Sequence, residues 1–403
     1  MNNNVIFLGS YYPPYTIGGA EKMFEIHTNG FAKKGYNVTI LSLGPHKKTT
    51  KELKITDCGQ TITIYRLPIR NIYWPLGNKP GILAKLFWHI LDLYNPFHNN
   101  DLKIILTKIN PSFIFCENLT GWSASIWNFL HAKGIKIIQI THDSSFLCMN
   151  GIMLNKGKSC GKRCLKCKIL SLFYKYNSKK VDQFIFVSKT QKKLFEEMNF
   201  KTRNAKVIYN AEPLKLITKK NLWDGKRTFH LGFLATLAEG KGIINLIKAF
   251  KLLKGDFDLK IGGNAVSKSF LNKIIAEIGN DNRIKLLGHV NSIEFLQDID
   301  LMIIPSIVRE SFGLVAVESC ANQIPAVVSN RGGLCEIIKN NINGCYCQPE
   351  DIYSISETIQ KIYNIPSFYH NLVKNTHTEI KKFLDVDFMI NELESCVNIH
   401  ITT

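Results

Sequence analysis

The sequence predicts an α/β protein of two doubly wound, Rossmann-like domains, and three observations carry that expectation. A chain of 403 residues with 45% hydrophobic residues is long for one core and suits two of ordinary size. Short apolar runs alternate with amphipathic helical stretches twice along the chain, the pattern of a parallel sheet covered on both faces. A polar run from Lys215 to Lys226 separates the two series.

In the first series, VIFLGS from Val5 reads as a buried strand, followed by the loop YYPPYTIGGAEK and a helix near Glu21 to Lys34. Gly18 and Gly19 fall at this strand-to-helix turn. Glycine there admits a ligand to the backbone, and a helix amino terminus favours an anion; a plain tight turn uses the same residues. VTILSL and TITIYRL read as the second and third strands. From Arg66 to Lys108 the composition turns aromatic and basic. Leu83, Leu86, Phe87, Ile90 and Leu91 share a helical face near Arg66, Arg70, Lys79 and Lys85. That face, with Trp74 and Trp88, suits either a membrane interface or the protein's own core. SFIFC and IKIIQI are two further strands, and the second ends at Thr141, His142 and Asp143.

Cys148, Cys160, Cys164 and Cys167 then lie close in sequence with lysines between them, Lys156 included. Four such thiolates can close a structural zinc site, and packed free thiols fit the spacing equally well. DQFIFVSKTQKKLFEEM is a strand, a capping Ser188 and a helix.

In the second series, HLGFLATLAEGKGIINLIKAF is a strand, a loop holding Thr236 and Lys241, and a helix; DLKIGG, IKLLGHV and LMIIP follow as strands. LMIIP leads into Arg309, Glu310, Ser311, Phe312 and Gly313, then a helix beginning LVAVE. Glu310 is thereby placed at a strand's carboxyl end, where open α/β sheets bind ligands, and Gly313 opens a helix whose free N–H groups suit an anion. Glu318 follows about a turn and a half into that helix. A further strand, PAVVS, ends in Asn330, Arg331, Gly332 and Gly333, a second donor-rich loop.

Glu310-Ser-Phe-Gly-Leu-Val-Ala-Val-Glu318, two glutamates with seven residues between them after a strand, resembles the signature of the retaining, nucleotide-sugar-dependent glycosyltransferases of family 4. A carboxylate accepts two hydrogen bonds from a vicinal diol, which suits both sugars of such a donor. The resemblance implies the GT-B fold, two Rossmann-like domains facing across a cleft, with the donor mainly in the second. It implies that Glu310 holds the transferred sugar, Glu318 the ribose and Lys241 the diphosphate. Ser311, Phe312, Gly313 and Leu314 would line the donor, and Gly18 and Gly19 would lie near its phosphate and the acceptor. His142 matches a histidine that the family places against the donor sugar. Where the family commonly has an arginine five residues before the lysine, this chain has Thr236, which removes one cation. The family needs no metal for catalysis. The implied boundaries are 1–212 for the first domain, cysteine cluster included, 213–380 for the second, and 381–403 for a last helix packed on the first.

The implied activity is transfer of a sugar to a glycan or lipid-linked acceptor in cell-surface polysaccharide or lipopolysaccharide synthesis. A nucleotide-sugar epimerase or a catalytically silent binding protein on the same scaffold is the alternative, since fold does not dictate function. The 51 Lys and Arg against 32 Asp and Glu give a formal charge of +19, which draws the chain to polyanions or anionic lipid. No recognition helix or zinc-finger pattern points to nucleic acid. The start, MNNNVIFLGS, lacks the plan of a secretory signal, no apolar run is long enough to span a bilayer, and the eleven cysteines read as reduced. The expected place is the cytoplasm, or the inner face of its membrane.

Overall fold

The computed structural model describes residues 3–77, 81–148, 150–155, 157–200, 202–219 and 221–398. The chain divides into two compact units: residues 1–151, 162–212 and 385–403 form the first, and residues 152–161 and 213–384 the second.

The first unit is built on strands β1 (Asn4–Leu8), β2 (Asn37–Gly44), β3 (Thr50–Ile55), β4 (Thr61–Pro68), β5 (Phe113–Cys116), β6 (Lys136–Thr141), β9 (Gln183–Phe186) and β10 (Lys206–Val207), in the order β10-β9-β6-β5-β1-β2-β4-β3. All neighbours are parallel except β3, which pairs antiparallel with β4. Its helices are α1 (Gly19–Lys33), α2 (Ile82–Leu91), α3 (Asn99–Ile109), α4 (Ser125–Ala132), α5 (Leu165–Leu170), α6 (Leu172–Asn177), α7 (Lys189–Glu197) and, from the end of the chain, α15 (Val386–Asn398). VIFL is fully buried because helices cover both faces of its strand, and Phe7 stacks on Phe115 with ring centroids 4.8 Å apart. α15 lies on α1. A Cβ on Gly30 would come within 2.5 Å of Ile390 Cδ1, and Tyr36 Oη donates to Glu394 at 2.9 Å.

The second unit carries β11 (Phe229–Leu234), β12 (Phe257–Gly262), β13 (Ile284–Gly288), β14 (Leu301–Ile304), β15 (Ala326–Ser329) and β16 (Gly344–Cys347), all parallel in the order β13-β12-β11-β14-β15-β16. Helices α8 (Ile243–Phe250), α9 (Lys268–Ile278), α10 (Ser292–Gln297), α11 (Leu314–Ala321), α12 (Leu334–Ile337), α13 (Ile352–Asn364) and α14 (Pro366–Ile380) complete it. Trp223, Phe229, Phe257 and Tyr369 centre one aromatic core. In each sheet the strand order reverses next to the first strand of its series, between β1 and β5 and between β11 and β14. In open α/β sheets, ligands bind at the carboxyl ends of the strands flanking such a reversal.

One expectation needs correction here, and three features were not settled by the sequence. The hairpin β7 (Leu154–Asn155) and β8 (Lys158–Ser159), which carries residues 152–161, groups with the second unit rather than the first. Its Leu154 lies against Gly240, where a Cβ would be 3.5 Å from Leu154 Cδ2. Strand β3 was not expected, because TKELKI is a charged, exposed edge strand with no apolar run. Arg66 is buried in β4, where Nε donates to Glu52 at 3.0 Å and the two terminal nitrogens donate to the carbonyls of Tyr12 and Pro13. Trp88 takes the core side of the two open readings, buried with its Nε1 donating to the Tyr73 carbonyl. Leu83, Leu86, Phe87 and Ile90 of α2 are nonetheless exposed, as are Leu165, Ile169, Leu172 and Phe173 of α5 and α6. The two groups adjoin where Tyr94 meets Phe173, ring centroids 6.0 Å apart. Lys79 and Lys156 lie outside the described residues. Among the described residues, no helix is long and apolar enough to cross a membrane.

Candidate functional site

In the second unit the loops after β11 and β14 are stitched together at the point of strand reversal. Gly240 O accepts from Ile307 N at 2.9 Å and from Val308 N at 3.2 Å. Gly242 has φ +76°, and a Cβ there would lie 2.0 Å from the Pro305 carbonyl oxygen, so only glycine lets the two backbones meet. This contact aims Lys241 at Glu310. Lys241 Nζ donates to Glu310 Oε1 at 2.6 Å, and Ser306 Oγ donates to the same oxygen at 2.6 Å. Burial alone would raise the Glu310 carboxyl; the Lys241 charge and the two hydrogen bonds outweigh it and hold the group below its ordinary range. Glu310 is therefore a carboxylate with one oxygen engaged by protein donors. Oε2 has none among the described residues.

The glycines of the following loop support that placement. Gly333 N donates to Glu310 O at 2.7 Å, and a Cβ on Gly332 or Gly333 would strike the backbone of residues 309–312. Gly313, at φ +114°, opens α11 against Leu334. Phe312 is buried edge-on to Phe383, while Ser311, Leu314 and Glu318 stay partly exposed. Thr236 is exposed on the loop after β11 and, among the described residues, bonds neither Lys241 nor Glu310. Arg331 is held by both oxygens of Glu350 and by the Ile307 carbonyl, so its charge is already engaged.

The first unit presents a different cluster at its own reversal point. Gly18 and Gly19 are exposed at the start of α1, and a Cβ on Gly18 would meet nothing within 4 Å. The anion-binding role expected of this turn is partly filled from within: Glu21 Oε2 accepts from Ile17 N at 3.1 Å and Gly18 N at 2.8 Å. His142, at the end of β6, is bonded through Nε2 to Glu117 Oε2, and Glu117 Oε1 takes His27 Nδ1 at 2.9 Å. Burial pulls His142 down, but the Glu117 charge and hydrogen bond, with Asp143 and Glu21 beyond, raise it above the usual imidazole value. Glu117 itself is pushed up by burial and brought down further by the two histidines, to about 2.

Sequence reasoning missed Ser306, Glu117 and His27. The first two had a signal, a polar residue directly after an apolar strand; His27 had only its place on the buried face of α1. The ligating atoms of His27, Glu117 and His142 lie within 4.8 Å of one another. The two imidazoles take opposite oxygens of one carboxylate, the arrangement of a hydrogen-bonded relay and not of lone pairs converging on one ion.

The cysteines converge less than a four-thiolate site requires. Cys148 and Cys167 have their sulfurs 3.7 Å apart, and Cys164 Sγ accepts from Cys167 N at 3.5 Å. Two thiolates at about 2.3 Å from one tetrahedral zinc have about that separation. Among the described residues, however, no three cysteine sulfurs fall within 4.8 Å of one another. Cys160 is on the segment that groups with the second unit.

Comparison with known proteins bears on both units. The family described as Glycosyltransferase Family 4 matches residues 17–212, and Glycosyl transferases group 1 matches residues 216–379. An uncharacterized glycosyltransferase of Methanocaldococcus jannaschii is 32% identical over 347 residues, 79% of this chain and 94% of the relative. An uncharacterized 42.6 kDa protein in the cps region of Klebsiella pneumoniae is 29% identical over 90% of this chain and 96% of its own length. Among solved structures, sucrose-phosphate synthase from Thermosynechococcus elongatus superposes with a TM-score of 0.79 at 15% identity, covering 99% of both chains. Anabaena HepE in complex with UDP-glucose gives 0.69 at 16% identity over 98% of this chain and 99% of its own. The structural likenesses establish the GT-B fold of two Rossmann-like domains. With a family match on each domain and a 32%-identical relative spanning most of the chain, the protein belongs to the glycosyltransferases of family 4.

Proposed function

We propose that this glycosyltransferase moves a hexose-type sugar from a nucleotide-sugar donor to a glycan or lipid-linked acceptor with retention of configuration, in cell-surface polysaccharide or lipopolysaccharide synthesis. The observation that carries the reading is the Lys241–Glu310–Ser306 cluster at the strand reversal of the second unit. Glu310 Oε2 is open to sugar hydroxyls. Lys241, once shifted from Glu310 to the diphosphate, would neutralise the charge that develops as the leaving group departs, with the N–H groups at Gly313 assisting. Glu318 would take the ribose diol, and Thr236 would offer the phosphates a neutral hydrogen bond. No residue need act as nucleophile if the acceptor attacks from the leaving-group face. The UDP-glucose in the Anabaena relative and the cps location of the Klebsiella one support a uridine-type donor and a polysaccharide product. A thermal-shift screen of nucleotide sugars tests the reading: one donor should raise the melting temperature, and an NMR assay with that donor should yield a product of unchanged anomeric configuration. A flat screen, or an inverted product, would overturn it.

The same reading includes attachment to an anionic membrane at the inner face of the cytoplasm, supported by the exposed faces of α2, α5 and α6 with Lys85 and Lys166 beside His89. Each basic group near such a surface contributes on the order of 1 kcal/mol. Liposome flotation should show binding that needs anionic lipid, weakens with salt and falls in Lys85→Glu/Phe87→Ser. Equal flotation on neutral vesicles would remove the electrostatic part. Cys148 and Cys167 are proposed as two ligands of a structural zinc. One zinc per chain after purification without added metal, lost in Cys167→Ser, is the expected elemental analysis.

A further inference from the structure

We propose that Glu117 and His27 are positioning residues for His142: Glu117 fixes the Nε2–H of the His142 ring, so that Nδ1 is the atom offered to a substrate hydroxyl, and His27 anchors the carboxylate that does so. The three side chains come from distant stretches of the chain, α1, the end of β5 and the end of β6, and nearly all of their surface is buried. The two imidazole rings lie nearly parallel, 25° apart with centroids at 6.1 Å, one on each oxygen of Glu117. An ordinary packed core would fill this space with apolar side chains, since burying charge costs free energy unless each member is paired. Here Glu117 has an imidazole on each oxygen, and each ring keeps a second nitrogen with no hydrogen bond among the described residues. His142 and Glu117 also line a small hollow with Ser10, Tyr11, Glu21, Phe24 and Asn118, beside the start of α1.

The titratable groups facing His142 are Glu117 from the loop after β5, Glu21 and His27 from α1, and Asp143 next in the chain. Three carboxylates against one neighbouring imidazole favour the doubly protonated ring. Glu117 contributes both a charge and a direct bond, whereas Glu21 is bonded to the turn before α1, and Asp143 Oδ2 meets Asn118 Nδ2 at 3.4 Å. Removing Glu117 and removing His27 must therefore act in opposite senses. Without the Glu117 charge, His142 loses its proton more easily. Without His27, the carboxylate has one donor fewer and holds the His142 proton more tightly.

The activity arm of the test rests on the transferase reading; the spectroscopic arm does not. In full-length protein labelled at histidine, NMR should show the His142 titration midpoint falling by about one unit or more in Glu117→Gln and rising in His27→Leu. With the donor found by thermal shift, Glu117→Gln should lower kcat about tenfold or more, leave the donor KM within about threefold, and move the high-pH limb of kcat down with the His142 midpoint. An unchanged midpoint in folded Glu117→Gln overturns the proposal, as does a kcat limb that ignores it. If Glu117→Gln does not fold, a midpoint that fails to rise in His27→Leu overturns it alone. A wild type without transfer from any nucleotide sugar sinks the transferase reading, and the NMR arm still decides the relay.

Discussion

Glu310→Gln is expected to lower kcat/KM roughly 10- to 150-fold, because losing a charge-assisted hydrogen bond to substrate costs about 1.5 to 3 kcal/mol. The structure adds a sign that separates this from general damage. In wild type Lys241 is held at 2.6 Å by the carboxylate that the substitution neutralises. Freed of that partner, the ammonium is more available to phosphate, so calorimetry should show nucleoside diphosphate binding as tightly as in wild type or tighter. Lys241→Ala should do the reverse and weaken the diphosphate, and by removing the cation it lets burial raise the Glu310 carboxyl. Turnover at the wild-type level in Glu310→Gln would remove Glu310 from the site; weaker diphosphate binding in that variant would show that the carboxylate, not the lysine, organises the loop.

The second large effect lies at the opposite, amino-terminal edge of the same sheet. Asp300 is fully buried just before β14. It binds Arg227 through both oxygens at 2.6 and 2.7 Å, accepts from Lys219 at 3.0 Å, and takes the backbone N–H of His230 at 3.1 Å. These partners belong to the segment entering the second unit and to its first strand, so one carboxylate pins both. Asp300→Asn should cost about 3 kcal/mol, since it removes the buried charge that pairs the mostly buried Lys219 and the partly exposed Arg227. The melting temperature of the unit should fall by about 6 to 12 °C. Burial raises the Asp300 carboxyl and the Arg227 hydrogen bonds, the Lys219 charge and the His230 N–H more than reverse it, leaving a folded value below the ordinary one. Its stabilisation is thus complete above the unfolded-state value and disappears as pH drops through the folded value. Stability curves of wild type and Asp300→Asn should accordingly converge in acid; curves that stay parallel would show that Asp300 is not the group responsible.

The places of Glu310, Glu318, Lys241 and Gly313 at a strand end, in a loop or on a helix could be read because each is tied to its element by a few neighbouring residues. An apolar run, a turn residue and a helix start are local, and local patterns survive in a one-dimensional text. Glu117 with His27 could not be read that way: the partners are 90 residues apart, and only the strand order brings them together. Asp300 was passed over for the same reason, as one more charge before an apolar strand. The burial of Arg66 and Trp88 was left undecided for another reason. Both stand in a stretch whose composition looks like a surface, yet their polar atoms reach backbone carbonyls in the interior, and composition does not record a hydrogen-bond partner. The exposed face of α2 was legible from helical spacing; its continuation onto α5 and α6 required the contact between Tyr94 and Phe173.

The placement of α15 against α1 has a consequence for synthesis. The chain leaves the first unit after residue 212 and returns to it only at residue 385, once 172 residues of the second unit have been made. Until then the face of α1 around Gly30, and the Tyr36 hydroxyl that Glu394 will receive, have no helix to meet. A growing chain therefore carries an uncovered first unit through the whole translation of the second, and domain-by-domain folding on the ribosome stops one helix short. The unit that is made first is the one that finishes last.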